Sequence, residues 1–265
     1  MTAQGEGWYA DPQDGSRLRW WDGSAWTAHT HAAVPSGWSP RPRLGDGWPR
    51  LALAVQASLA LTVLLSVFVV VSDRIVLDVW RRLADDPTSV PEAEATRADR
   101  LMTASIAEVV VTVVCGVLFI AWLYQAHTSD RTDPAYNRRR SGWAIGGWFV
   151  PFVNLWFPFQ VVSDLRDGAR GEGRPPSAGL QWAWWLCFLA LQVGWRATGA
   201  FYDSAGEVPD SDLALYADRL ETAMAVETVA EVLSVVTAVL AIVMVRQLTA
   251  WVRTSPPALV PARAA

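Results

Sequence analysis

The stretch GWAIGGWFVPFVNLWFPFQVV, Gly142–Val162, decides how many times this chain crosses a bilayer. Its length matches the roughly 20 apolar residues that a membrane-spanning helix needs. Its content does not suit a straight helix, because Gly146-Gly147, Pro151, Asn154 and Pro158 interrupt it. A proline removes a backbone donor, and its ring clashes with the preceding turn. Broken backbone at membrane depth is tolerated only where protein or water covers it. The segment therefore reads as a re-entrant or interfacial hairpin.

Four uninterrupted apolar stretches lie to either side of it: Leu51–Val71, Ala104–Ala126, Leu180–Ala200 and Met224–Val245. Tryptophans mark their ends, as expected of amphipathic rings at headgroup depth. Arginine placement supports four crossings. Arg41, Arg43 and Arg50 precede the first span, Arg131, Arg138, Arg139 and Arg140 precede the broken segment, Arg166, Arg170 and Arg174 follow it, and Arg246 and Arg253 follow the last span. With the broken segment dipping in and returning, all of these share the cytoplasmic side, as do both termini. The loop Phe201–Ala223 then faces out, with six acids against Arg219 alone. The expected fold is an all-α membrane bundle of four transmembrane helices plus the hairpin over 142–162, preceded by a small β module.

Composition narrows the function. The chain is 52% hydrophobic, carries a net charge of −4 and has no lysine among its 22 basic residues. No basic stripe suits nucleic acid. Cys115 and Cys187 fall in apolar runs, where thiols are packing residues, and His29, His31 and His127 are too scattered to act as metal ligands. No cofactor is implied. The first long apolar run starts near Leu51, so it reads as an uncleaved anchor. No nucleophile–base motif, Walker loop or HExxH is present, so no enzyme is expected.

A short repeat is visible. Ala98-Asp99-Arg100-Leu101-Met102-Thr103-Ala104 precedes the second span and Ala217-Asp218-Arg219-Leu220-Glu221-Thr222-Ala223 precedes the fourth, with six of seven positions identical. The register places Glu108 opposite Glu227. A duplicated two-helix unit would account for it, and parallel repeats build both transport folds and inert bundles.

Glu108, Arg196, Glu227 and Glu231 are the ionisable residues well inside the expected spans. Charges in hydrocarbon cost at least about 2.5 kcal/mol each and normally pair. Glu227 and Glu231 share a helix face, and Arg196 has similar depth, so an Arg196 bridge to Glu227 or Glu231 is expected. The alternatives are a structural ion pair in the outer leaflet and a carboxylate-lined proton or cation path. In the broken segment, Trp148, Pro151, Asn154, Pro158 and Gln160 form a candidate motif. Asn154 could present its amide to a headgroup, an ion or a helix, and the flanking arginines would attract anionic lipid.

Residues 6–31 read as a tryptophan-rich module of three short strands, with turn signals at Asp11-Pro12, Asp14-Gly15 and Asp22-Gly23. Trp8, Trp20 and Trp26 are expected to form its core on one face. Tyr9 or Trp21 is then left outward to dock a partner, as aromatic-lined sheets do with proline-rich peptides. Residues 32–50 read as a proline-rich flexible linker, 51–250 as the transmembrane domain and 251–265 as a disordered tail.

The pattern Gly7-Trp8-Tyr9-x-Asp11-Pro12, then Arg19-Trp20-Trp21-Asp22-Gly23-x-x-Trp26-Thr27-x-His29-Thr30, resembles the short actinobacterial module known as domain of unknown function 2510. Ser141-Gly142-Trp143-Ala144, Trp148-Phe149-x-Pro151-x-x-Asn154-Leu155 and Pro158-Phe159-Gln160-Val161-Val162 resemble domain of unknown function 4328. The resemblance implies an actinobacterial membrane protein and adds no reaction. The expectation is a multi-pass protein of the bacterial cytoplasmic membrane, a scaffold or adaptor that displays residues 6–31 to a cytoplasmic protein. A small transporter or channel with outer-leaflet carboxylates is the alternative, and a membrane enzyme or lipid-binding protein comes after it.

Overall fold

The computed structural model describes residues 6–14, 17–32, 41–86, 88–102, 104–209 and 211–258. Three strands, β1 (Gly7–Ala10), β2 (Arg17–Trp21) and β3 (Trp26–Ala32), pair antiparallel in that order. The β2–β3 turn is built by Asp22, whose Oδ1 accepts from the backbone N–H of Ser24 (2.8 Å) and Ala25 (2.7 Å). Gly23 takes the left-handed conformation (φ 90°) that this turn requires. Asp11 is buried and accepts from Gln13 N–H (2.9 Å) and Arg19 Nε (3.0 Å). Those bonds, led by the Gln13 N–H, hold its carboxyl below the usual range.

The expected module core needs correcting. Trp26 pairs with Trp21 across the ladder and meets it edge-on at 5.2 Å, while Tyr9 meets Trp26 at 6.3 Å. Trp26 therefore belongs to the face of Trp21 and Tyr9, not to that of Trp20. The cause is the pairing register, in which odd-numbered residues of β2 face even-numbered residues of β3, Arg19 with Thr30 and Trp21 with Trp26. The side chain of Trp8 lies outside the described residues.

The helices are α1 (Trp48–Asp85), α2 (Glu92–Met102), α3 (Ala104–Thr128), α4 (Trp143–Gly146), α5 (Phe157–Gly168), α6 (Ala178–Gly206) and α7 (Leu213–Thr254). Among the described residues three stretches are long and apolar enough to cross a membrane: Trp48–Asp85, Glu92–Thr128 and Leu213–Thr254. They make the chain a membrane protein. In α6, 29 residues long, Gln181, Arg196 and four tryptophans dilute the apolar content.

The long helices stand in an open row, α3 on α1, α1 on α7 and α7 on α6. Two clusters hold them. At the Arg-rich end, Trp48 and Trp122 stack at 5.8 Å with rings 10° apart, beside Val55, Trp185 and Leu248. At the other end, Val76, Leu77, Ala98, Leu220 and Met224 pack together. There α1 runs on through Ile75–Leu83, tied by Arg82 to Asp78 and Glu94 and by Arg81 to Glu221.

The broken segment doubles back. Trp143 in α4 meets Phe157 at the start of α5 edge-on at 4.9 Å. Gly147 makes this approach possible, since a Cβ there would lie 2.7 Å from the Trp143 carbonyl and 3.1 Å from Phe157 Cβ. Pro158 sits in the first turn of α5, where its missing N–H costs nothing. The tip presents Phe149, Phe152, Leu155 and Trp156 outward, and Phe152, 86% exposed, has a left-handed φ of 64°. A bulky residue there is strained unless its surroundings hold it.

Two boundaries differ from expectation. Within the expected linker, Arg41 is already anchored: its guanidinium donates to the carbonyls of His127 and Thr132, while Leu44 N–H donates to Asp130 at 3.1 Å. At the other end α7 reaches Thr254, and Arg131 donates to the Ser255 carbonyl. Residues 251–255, expected in a disordered tail, are thus ordered and anchored. Residues 33–40 and 259–265 lie outside the described residues.

Candidate functional site

Because α3 and α6 end the row without extended contact, a cleft of about 430 Å³ lies between them. The periodicity of α3 sets one wall: Glu108, Thr112, Cys115, Gly116 and Phe119 recur at three- and four-residue steps along one helix face. The same steps in α7 bring Glu227, Ser234, Thr237, Ala238 and Ala241 to the opposite wall. Leu59 and Thr62 of α1 close the back, and Trp184, Phe188, Leu191 and Trp195 of α6 extend the α7 wall. From Glu108 to Ile120 the cleft runs about 18 Å along α3.

Its aromatic end is floored by the hairpin. Trp148 meets Phe119 at 5.7 Å and Phe188 at 6.1 Å, and its Nε1 donates to the Ala144 carbonyl at 3.2 Å. Of the candidate hairpin motif, Trp148 alone lines the cleft. Pro151 and Asn154 sit in the tip, Pro158 starts α5, and Gln160 on α5 has its amide oxygen buried without a partner. Gln181 of α6 fastens α5 by donating to the Phe159 carbonyl (2.9 Å) and Ser163 Oγ (2.7 Å) and accepting from Arg166 (2.9 Å). The flanking arginines have protein partners too. Arg138 N–H donates to the buried Asp164 at 3.0 Å, and burial pushes the Asp164 carboxyl up against the pull of that bond.

At its other end the cleft meets a carboxylate cluster. Glu108 accepts from Ser66 Oγ at 3.0 Å, and the Tyr202 hydroxyl donates to Glu227. Glu231, 1% exposed, sits within hydrogen-bonding reach of Glu108 and Ser66. Asp73, half-buried on α1, is near enough to Glu227 and Glu108 for their charges to interact. Sequence reasoning united Glu108, Glu227 and Glu231 but missed Asp73 and Tyr202, which lay past the expected ends of spans one and three. The apolar run through Ile75–Leu83 was the available sign that α1 continues.

The expected Arg196 pairing is corrected. Arg196 is exposed and makes no ion pair among the described residues. Helix phase explains it: a Cβ on Gly194 would lie 3.4 Å from Ala230 of α7, so Gly194 faces α7. Arg196, about 200° further around, points away. Among the described residues no group of three or more His, Cys, Asp or Glu is arranged to hold a metal ion.

Long apolar helices around a laterally open cleft are the architecture of a membrane protein. The chain belongs to the family described as domain of unknown function DUF4328, whose model matches residues 86–250. Residues 7–40 match a second family, described as protein of unknown function DUF2510. No curated protein and no solved structure matches the chain.

Proposed function

We propose that this protein is a four-span carrier, without catalytic chemistry of its own, that takes an apolar guest from the bilayer into the cleft between α3 and α6. One observation carries this: the cleft is of ligand size and opens sideways, where Val109 and Val113 of α3 and Trp195 of α6 line it and are exposed. A Cβ at Gly116 would meet nothing within 4 Å. Gly116→Leu should therefore fill the cleft while leaving the fold intact, since Gly costs about 1 kcal/mol in a helix relative to Ala. The neutral fluorophore N-phenyl-1-naphthylamine should bind the wild-type chain in a neutral detergent and bind Gly116→Leu at least tenfold more weakly. Equal binding by the two proteins would remove the cleft as the guest site.

In this proposal α6 is the fourth span, the hairpin over 142–162 lies in one leaflet, and the membrane is the bacterial cytoplasmic membrane. The arginine distribution supports cytoplasmic termini and arginine loops, with Arg140 and Arg174 exposed and available to anionic headgroups. With Cys115 and Cys187 replaced by alanine, cysteines at Arg174 and Ser211 should react with a membrane-impermeant maleimide from opposite sides. Labelling of both from outside intact cells would sink the four-span topology.

A scaffold or adaptor role for the module is favoured by a separate observation. The Trp21 indole N–H is buried without an acceptor on the face it shares with Tyr9 and Trp26. A proline-rich peptide carbonyl on a cytoplasmic protein would satisfy it. Trp21→Phe, which keeps the ring contact and removes the donor, should weaken capture of such a protein about tenfold, as loss of one buried hydrogen bond permits. Unchanged capture would rule the indole out as the docking group.

A further inference from the structure

We infer that the guest of this cleft is a lipophilic cation, its charged head between Glu108 and Glu227 and its apolar body against the tryptophan and phenylalanine walls. This rests on the guest-binding function proposed above and adds the sign of the charge.

Both carboxylates line the cleft, and among the described residues no arginine or histidine does. The arginine of α6 that could have neutralised them, Arg196, faces away. Each carboxylate is braced from outside the cleft: Ser66 holds Glu108, and Tyr202 holds Glu227. Uncompensated carboxylates in a low-dielectric site strongly favour an opposite charge, and the same field rejects an anion.

Two further features fit a cationic amphiphile. Trp195 of α6 lines the carboxylate end, on the residue next to Gly194, which packs against Ala230. Phe119, Trp148, Trp184 and Phe188 line the remainder, and aromatic faces attract cations as well as apolar groups. Midway along α7, Thr237 is 7% exposed, lines the cleft and has its hydroxyl unpaired. A buried hydroxyl without a partner is costly in a wholly apolar pocket. It points to a guest with a polar group behind its head.

Tetraphenylphosphonium and tetraphenylborate share a shape and differ in charge, so they isolate this inference. Equilibrium dialysis of the full chain in a neutral detergent, blanked against protein-free micelles, should show at least tenfold tighter binding of the cation. In the Glu108→Gln/Glu227→Gln double variant the ratio of cation to anion binding should fall below twofold. Gly116→Leu should lose all three probes. Equal binding of both ions to the wild type, or a preference that survives the double variant, overturns the cation assignment but leaves the guest site standing. Loss of all probes from the wild type overturns both. If the double variant fails to fold, the wild-type ratio and its loss in Gly116→Leu still decide.

Discussion

Trp48→Ala should destabilise the bundle by about 3–5 kcal/mol, the range for truncating a fully buried tryptophan. Trp48 is 1% exposed, and the ring it stacks on, Trp122, is 0% exposed. Truncation opens a cavity between α1 and α3 and leaves the Trp122 indole without its stacking partner. It also removes the bond from Trp48 Nε1 to the Trp122 carbonyl, 2.9 Å long and fully buried. Trp48→Phe separates these contributions. Phenylalanine keeps a stacking ring and loses the donor, so it should cost about 1–2 kcal/mol. Reversible unfolding in mixed micelles would measure both. An alanine variant no weaker than the phenylalanine variant would mean that the stack contributes nothing to holding α1 on α3.

Trp48 also illustrates what the sequence could and could not disclose. Its position before an apolar run marked it as an interfacial anchor, by the rule that places tryptophan at headgroup depth. Its partner 74 residues away was invisible, because no local pattern encodes which helix faces which. The same limit applies to the carboxylates. Glu227 and Glu231 fall on one face by their spacing alone, and the matched heptapeptides aligned Glu108 with Glu227, which now line one cleft. The side chains of Met102 and Ala104 in the first copy lie outside the described residues, as does Thr103. Assigning Arg196 as their partner failed because depth was matched without rotational phase. A residue at the right height on a helix can still face lipid, and Gly194, two positions earlier, was the residue that fixed the phase. In the module, a period-two strand pattern put Trp26 with Trp20. The register formed pairs odd-numbered residues of β2 with even-numbered residues of β3, which puts Trp26 with Trp21, and composition alone does not encode that register. The broken segment was the most legible element. Glycine and proline constrain backbone directly, so their positions located the turn between Trp143 and Phe157 without knowledge of any neighbour.

Gln181→Leu should cost about 2–4 kcal/mol and weaken guest binding from a distance. Gln181 is 2% exposed and joins three groups on α5: the Phe159 carbonyl, Ser163 Oγ and the Arg166 guanidinium. Leucine fills a similar volume but satisfies none of them, and each buried polar group stripped of its partner costs about 1–3 kcal/mol. Part of that loss is softened because Arg166 retains Asp167 at 2.8 Å and Ser163 retains the Phe159 carbonyl at 3.0 Å. The consequence for the cleft follows from connectivity. α5 continues the hairpin that carries Trp148, and Trp148 closes the aromatic end against Phe119 and Phe188. Releasing α5 from α6 lets that floor move, so N-phenyl-1-naphthylamine binding should fall although Gln181 does not line the cleft. A double-mutant cycle with Ser163→Ala tests the link, since directly bonded partners couple and independent sites add to within about 0.5 kcal/mol. Strict additivity in stability, together with unchanged probe binding by Gln181→Leu, would show that the hairpin is held by apolar packing alone and that Gln181 plays no part in shaping the guest site.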